Sequence, residues 1–187
     1  MSFNTVDPSD QSDKYEVLFS EEEIQQRVSE LAEEISKDYE NDPDTPLVLI
    51  CVLNGAVFFY SDLVKQIKHP NIICEFVSIS SYGSGKESSR EPKILLDTKN
   101  PLADKNVIVI EDIIDSGYSM GALLEILASK DPKSLKVCSL LVKDGRQEIE
   151  VPVGYAGFRI PRKLWVQGYG MDTGEEGRTL PFIIVID

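Results

Sequence analysis

The sequence predicts an α/β fold: a mainly parallel twisted sheet flanked by helices, with a small antiparallel hood and a flexible lid loop. Three observations carry this. Apolar, β-branched runs of strand length alternate with helix-periodic segments through most of the chain, the pattern of a parallel sheet covered on both faces. The last part holds short apolar runs joined by short loops, which is expected to form a small antiparallel addition. Between them, residues 81–92 (SYGSGKESSREP) mix Gly, Ser and charges without an apolar face and are expected to form a mobile loop.

Residues 1–15 are polar and expected to be a flexible N-terminus, leaving residues 16–187 as a single domain. Ser20 followed by Glu23 spells a capping box, and Glu21, Glu22 and Glu23 favour the positive end of a helix. Ile24, Val28, Leu31, Ile35 and Tyr39 then fall on one helical face, and Pro43 and Pro46 close it. Leu47–Leu53 is expected to be a buried strand, Asn54-Gly55-Ala56 a tight turn, and Val57–Lys68 a helix with Phe59, Leu63 and Ile67 inward. Ile72–Ser80 is the next strand and Lys93–Asp97 a short return strand. A buried strand over Val107–Glu111 is expected to run out into a turn carrying three acids, Glu111, Asp112 and Asp115. A helix follows from about Ser119 to Lys130, ended by Pro132. Leu135–Val142 is a strand, and Tyr155–Ile160, Leu164–Gly168 and Phe182–Ile186 are three short ones.

A net charge of −13 argues against nucleic acid or an anionic membrane as partner, since both need a basic surface. The longest apolar runs are too short to span a bilayer. The N-terminal MSFNTVDPSDQSD has neither a basic n-region nor an apolar h-region, so no secretory signal is expected. Cys51, Cys74 and Cys138 are odd in number and each lies in a strand-like run. They are expected to be small buried hydrophobes in a reducing cytoplasm, the expected location. A single histidine, His69, and no CxxC pair leave little basis for a zinc site or a Ser-His-Asp triad.

Ligands of such folds bind beyond the carboxyl ends of the strands. Four segments should converge there: Asn54-Gly55, the 81–92 loop, Glu111–Ser119 and the turn after Leu135–Val142. In Asp115–Ser119 the small residues Ser116 and Gly117 let backbone N–H groups point at one anion, and the helix start adds its dipole. The segment lacks the GxxxxGK[ST] of a nucleotide triphosphatase. The adjacent carboxylates Glu111 and Asp112 would repel unless something bridges them; a sugar diol and a divalent cation both do so.

VIVIEDIIDSGYSM (107–120) resembles the phosphoribosyl-diphosphate (PRPP) signature of type I phosphoribosyltransferases, and its EDIIDSG is similar to the hypoxanthine–guanine branch. The resemblance covers roughly residues 15–187, through LICVLNGAVFF, SISSYG, SLLVKD, LWVQGYGMD and GRTLPFI. It implies a Mg²⁺-dependent transfer of the phosphoribosyl group to N9 of hypoxanthine, and guanine, with release of pyrophosphate. It also implies a homodimer or homotetramer. Carried over by residue, Glu111 and Asp112 hold the ribose hydroxyls and Mg²⁺, and Asp115, Ser116, Gly117, Tyr118 and Ser119 cradle the 5′-phosphate. Asp115 is also the general base near purine N7. Lys143 reads the exocyclic O6, Trp165 stacks on the base and the Val166 backbone reads its N1/C2 edge. Asp172 adjoins the purine and binds a second Mg²⁺. Asn54, Gly55 and Arg178 contact pyrophosphate, and Ser81 and Tyr82 begin the lid.

Asn54 and Tyr118 stand where other members carry Lys. One extra residue lies between Pro161 and Trp165, and the 171–178 loop is unusually acidic. Two alternatives stay open: a xanthine- or guanine-preferring enzyme, and a PRPP-sensing regulator without catalysis.

Overall fold

The computed structural model describes residues 16–80, 93–145, 148–174 and 176–186; the expected flexible N-terminus (1–15) and lid (81–92, with Ser81 and Tyr82) lie outside them. In chain order the elements are β1 (Val17–Phe19), α1 (Glu21–Tyr39), β2 (Leu47–Leu53), α2 (Val57–Val64), β3 (Ile72–Ser80) and β4 (Lys93–Leu96). They continue with β5 (Asn106–Ile114), α3 (Tyr118–Ala128), β6 (Ser134–Asp144), β7 (Val153–Pro161), β8 (Trp165–Gln167) and β9 (Ile183–Ile186).

The capping box forms as its spacing requires. Ser20 Oγ accepts from the Glu23 N–H, and the Glu23 carboxylate accepts from the Ser20 N–H. The apolar face of α1 then seats Ile24, Val28, Leu31, Ile35 and Tyr39 in the core, each of the four aliphatic burials contributing about 1.5–3 kcal/mol before entropy is subtracted. Arg27 leaves that helix to donate to the Ala156 and Gly157 carbonyls, tying α1 to β7. α2 stops at Val64 rather than Lys68. Its last turn tightens onto the Leu63 carbonyl, and Pro70 restricts the residue before it to extended backbone. Ile67 still reaches the core from that turn.

The six-stranded sheet has the order β4-β3-β2-β5-β6-β7. β3, β2, β5, β6 and β7 run parallel, and β4 alone is antiparallel, on β3. One apolar cluster on the α1–α2 face and another on the α3 face bury both sides of the sheet. Chain order departs from β2 toward β3 on one side and from β5 toward β6 on the other. The switch point, where a crevice opens at the strand ends, therefore lies between β2 and β5. A three-stranded antiparallel sheet, β1-β9-β8, forms the hood. Phe19 of β1 stacks on Phe158 of β7 with ring centroids 4.0 Å apart, so the hood shares the main core.

Three expectations need correction. Tyr155–Ile160 belongs not to the antiparallel addition but to the main sheet, where β7 adds a parallel edge to β6, Leu141 opposite Phe158. Glu111 and Asp112 lie not in a turn but within β5, because the ladder continues to Ile114, opposite Val142; of the three acids only Asp115 is in the turn. Cys51 and Cys138 are buried, but Cys74 is exposed. Phe76, two residues on and on the same face, is exposed too, so cover of that face is incomplete toward the sheet edge.

The opposite end of the sheet is closed by a polar knot. Asp42 accepts from Lys133 Nζ at 2.7 Å, Thr45 Oγ1 at 2.7 Å and Asn106 Nδ2 at 2.8 Å, and Ser134 Oγ donates to Asn106. The Lys133 hydrogen bond foremost, then those from Thr45 and Asn106, lower the Asp42 carboxyl from 3.8 to about 2. A depressed folded-state pKa stabilises the fold above the unfolded value, and that stabilisation is lost as pH falls through the folded one. Asp42→Asn is therefore expected to flatten the acid limb of the stability curve between pH 3.8 and about 2, read by denaturant melts at stepped pH. An unchanged slope would remove Asp42 from acid unfolding.

Candidate active site

The site lies at the switch point. β2 ends in a cis Leu53–Asn54 peptide, and Gly55 follows directly beside Asp112. A Cβ built on Gly55 would stand 1.8 Å from Asp112 Oδ2, so any side chain there would displace that carboxylate. The carboxylates of β5 fold back on the backbone ahead of them: Glu111 accepts from the Asp112 N–H at 3.0 Å, and Asp112 from the Ile113 N–H at 2.7 Å. Desolvation first, and then the neighbouring Asp112 charge and a side-chain hydrogen bond with it, push the Glu111 carboxyl well above its ordinary range.

Beyond Ile114 the chain turns through Asp115, Ser116 and Gly117 into α3. Gly117 sits at the N-cap with φ 87°, and no side chain caps the helix. The turn needs glycine twice over: the φ is left-handed, and a Cβ would meet the Ile149 carbonyl oxygen at 2.1 Å. That contact exists because the N–H groups of Glu148 and Ile149 both donate to the Ser116 carbonyl, docking the 148–149 segment on the turn. Tyr118 Oη adds a bond to Glu148. A small cavity here is lined by Glu111, Ile113, Asp115, Ser116, Gly117 and Ser119, among others. Polar hydroxyls, a left-handed glycine and the uncapped N-terminus of α3 make it a suitable seat for an anion.

A larger cavity of about 440 Å³ adjoins it and shares Ile113 and Asp115. Asp112, Lys143, Trp165, Val166 and Asp172 line it, together with Met171 and Thr173. Lys143 sits in β6, not after it, and its side chain is 6% exposed. Its Nζ donates to Asp115 Oδ2 at 3.0 Å and lies 5.0 Å from the Trp165 ring centroid. Trp165 is 67% exposed, its ring free to be covered by a flat ligand. Across the cavity, Arg178 pairs with Asp172 at 2.8 Å and donates to the Gly170 carbonyl at 2.8 Å.

The expected residues thus occupy two joined cavities: Glu111, Ser116, Gly117 and Ser119 around the small one, Asp112, Lys143, Trp165, Val166 and Asp172 around the large one, and Asp115 on both, while Tyr118 lines neither. Asn54 and Gly55 adjoin through Asp112. Arg178 is tied to the cavity through its ion pair with Asp172. Of the lining of the large cavity, sequence reasoning missed Ile113, Met171 and Thr173. Ile113 carries a signal in hindsight, since it lies between Asp112 and Asp115 on the same strand; the other two are placed by the hood turn alone. Among the described residues no three His, Cys, Asp or Glu side chains converge as a ready metal cluster. The donor set suits Mg²⁺ nonetheless: the adjacent carboxylates of Glu111 and Asp112 are paired hard oxygen ligands.

Residues 15–173 match the phosphoribosyl transferase domain family. The hypoxanthine-guanine phosphoribosyltransferase of Dictyostelium discoideum is 44% identical over 90% of the chain and 93% of its own length. The hypoxanthine phosphoribosyltransferase of Escherichia coli K12 is 40% identical, with the same coverage of both chains. Among solved structures, a hypoxanthine phosphoribosyltransferase from Staphylococcus aureus superposes with a TM-score of 0.86 at 35% identity, covering 100% of this chain and 97% of its own. A hypoxanthine-guanine phosphoribosyltransferase from Bacillus anthracis gives 0.84 at 40% identity, covering 92% and 98%.

Proposed function

The chain belongs to the phosphoribosyltransferase family, and on that premise we propose that it is a purine-salvage enzyme of the hypoxanthine(-guanine) branch. It transfers the phosphoribosyl group of PRPP to N9 of hypoxanthine, giving the nucleotide and pyrophosphate. The bond from ribose C1 to the pyrophosphate oxygen breaks, the N9–C1 bond forms, and the purine gives up a proton. The observation that carries this reading is the pairing of the two cavities across Asp115: an anion seat on one side, and a Lys–Trp-lined slot with room for a purine on the other.

The small cavity takes the 5′-phosphate on the backbone N–H groups and hydroxyls of Asp115–Ser119. Glu111 and Asp112 receive the ribose hydroxyls. Those two would hold one Mg²⁺ and Asp172 a second, and the ions when bound would neutralise charge on the departing pyrophosphate. In the large cavity Trp165 stacks on the base and Lys143 donates to O6, which orients N9 toward C1. The Val166 backbone reads the far edge of the base, with Asp172 adjoining it. Asp115 accepts the purine proton, and its contact with Lys143 places that acceptor beside the base. The Asn54-Gly55 turn and Arg178 meet the pyrophosphate. Tyr118 contributes through its backbone, since its hydroxyl is engaged by Glu148.

We further place the protein in the cytoplasm as a homodimer or homotetramer. No described helix is long and apolar enough to cross a membrane. The function is tested by steady-state assay of the purified protein with hypoxanthine, PRPP and Mg²⁺; absence of both nucleotide and pyrophosphate would overturn it.

A further inference from the structure

Tyr169 is buried, yet it does not line the cavity that Met171 and Asp172 face. Its backbone is left-handed, φ 47°, between Gly168 at 113° and Gly170 at 101°. An aromatic residue rarely adopts that conformation, and glycine would adopt it freely. A side chain kept there despite the backbone has a use for its ring or its hydroxyl. The hydroxyl points into the helical layer. Tyr169 Oη donates to Asp62 Oδ2 of α2 at 2.8 Å, and Gln25 Nε2 of α1 donates to the same oxygen at 3.1 Å.

The backbone around Tyr169 carries the pyrophosphate side of the site. The Tyr169 N–H donates to the Leu180 carbonyl, and the Gly170 N–H to that of Arg178. The Gly170 carbonyl accepts from the Arg178 guanidinium, which holds Asp172. Gly170 also packs on the carbonyl of Gly55, so closely that a Cβ would lie 2.0 Å from that oxygen. The turn that presents Asp172 and Arg178 is thus pressed against the Asn54-Gly55 turn, and the hydrogen bond from Tyr169 to the α1–α2 layer fixes where it is pressed.

We infer that Tyr169, through its hydrogen bond to Asp62, is a positioning residue for the pyrophosphate half of the site. It sets the Asp172–Arg178 pair over the Gly55 turn without touching substrate. The inference rests on the function proposed above. Lys143 and Trp165, which orient the base, come from β6 and β8 and do not depend on this anchor; Asp172 also lines the purine cavity, so the hypoxanthine KM should rise less than the PRPP KM rather than not at all.

The test is a comparison of Tyr169→Phe, Asp62→Leu, their double variant and Asp62→Asn by KM for PRPP, KM for hypoxanthine and thermal melting. Tyr169→Phe and Asp62→Leu should each raise the PRPP KM by about 3- to 10-fold, the yield of one lost hydrogen bond. The hypoxanthine KM should stay within about twofold. The double variant should be no worse than Asp62→Leu, which already removes the Tyr169 bond together with those from Gln25 and Lys65. Asp62→Asn keeps an acceptor oxygen and should retain the wild-type PRPP KM. Lowered melting temperatures with an unchanged PRPP KM would overturn the inference, as would equal rises in both KM values or an Asp62→Asn variant as impaired as Asp62→Leu. A wild-type protein without turnover would instead overturn the function on which the inference rests.

Discussion

Asp115→Asn is expected to lower kcat with hypoxanthine and PRPP by about 10²–10⁴-fold, the range of a lost general base. The substitution keeps size and keeps an oxygen for Lys143 Nζ, now 3.0 Å from Asp115 Oδ2. It removes the ability to take a proton, together with the negative charge that pairs with Lys143. Asp115 is about half exposed, at the junction of the two cavities, so the amide is solvated and the fold is not burdened with a buried polar group. The KM for PRPP should change far less than kcat, since the backbone N–H groups of Ser116–Ser119 still present the anion seat. Rates and KM values from initial-velocity assays decide the matter; unchanged turnover would remove Asp115 from proton transfer.

Lys143→Ala is expected to lower kcat/KM for hypoxanthine by about 10- to 150-fold, equivalent to a charged hydrogen bond of about 1.5–3 kcal/mol. The lysine stem is buried in β6 and delivers its ammonium group to one place, between Asp115 and the Trp165 ring. A 6-oxopurine accepts a hydrogen bond there; a 6-amino group offers a donor to a donor. The variant should therefore lose its discrimination against adenine along with its rate. Asp115, left without its partner, is exposed enough to be hydrated, so the melting temperature should fall little compared with the loss of rate. Competition assays between hypoxanthine and adenine read the first effect; an unaffected preference would refute the assignment of Lys143.

Much of this arrangement was legible from residues alone, for reasons specific to each. The bounds of β2 and β3 follow from uninterrupted apolar runs ended by turn residues, and the start of α1 from a capping box whose two halves lie three residues apart. Local pattern carries these. The direction of strand pairing is not local. β7 looks like any short strand until its register with β6 is known. β1, with three residues, was missed because its ladder partner is β9, at the far end of the chain. The acids of β5 were assigned to a turn because two carboxylates end the apolar run, whereas their backbone still pairs with β6.

The site follows the same division. Glu111–Ser119, Lys143 and Trp165 are contiguous signatures or chemically conspicuous residues. Met171 and Thr173 are neither, and their place in the cavity arises from the hood turn that Gly168 and Gly170 shape. A short turn joins β7 to β8, where the Leu164 N–H donates to the Pro161 carbonyl, and Trp165 lines the slot beside Lys143.

The most direct test of the central claim is a four-base assay: hypoxanthine, guanine, xanthine and adenine, each with PRPP and Mg²⁺, followed by absorbance and pyrophosphate release. Turnover is expected with hypoxanthine, at a lower KM than xanthine, with guanine also used and adenine rejected. Turnover confined to xanthine, preference for adenine, or PRPP binding without turnover of any base would contradict it.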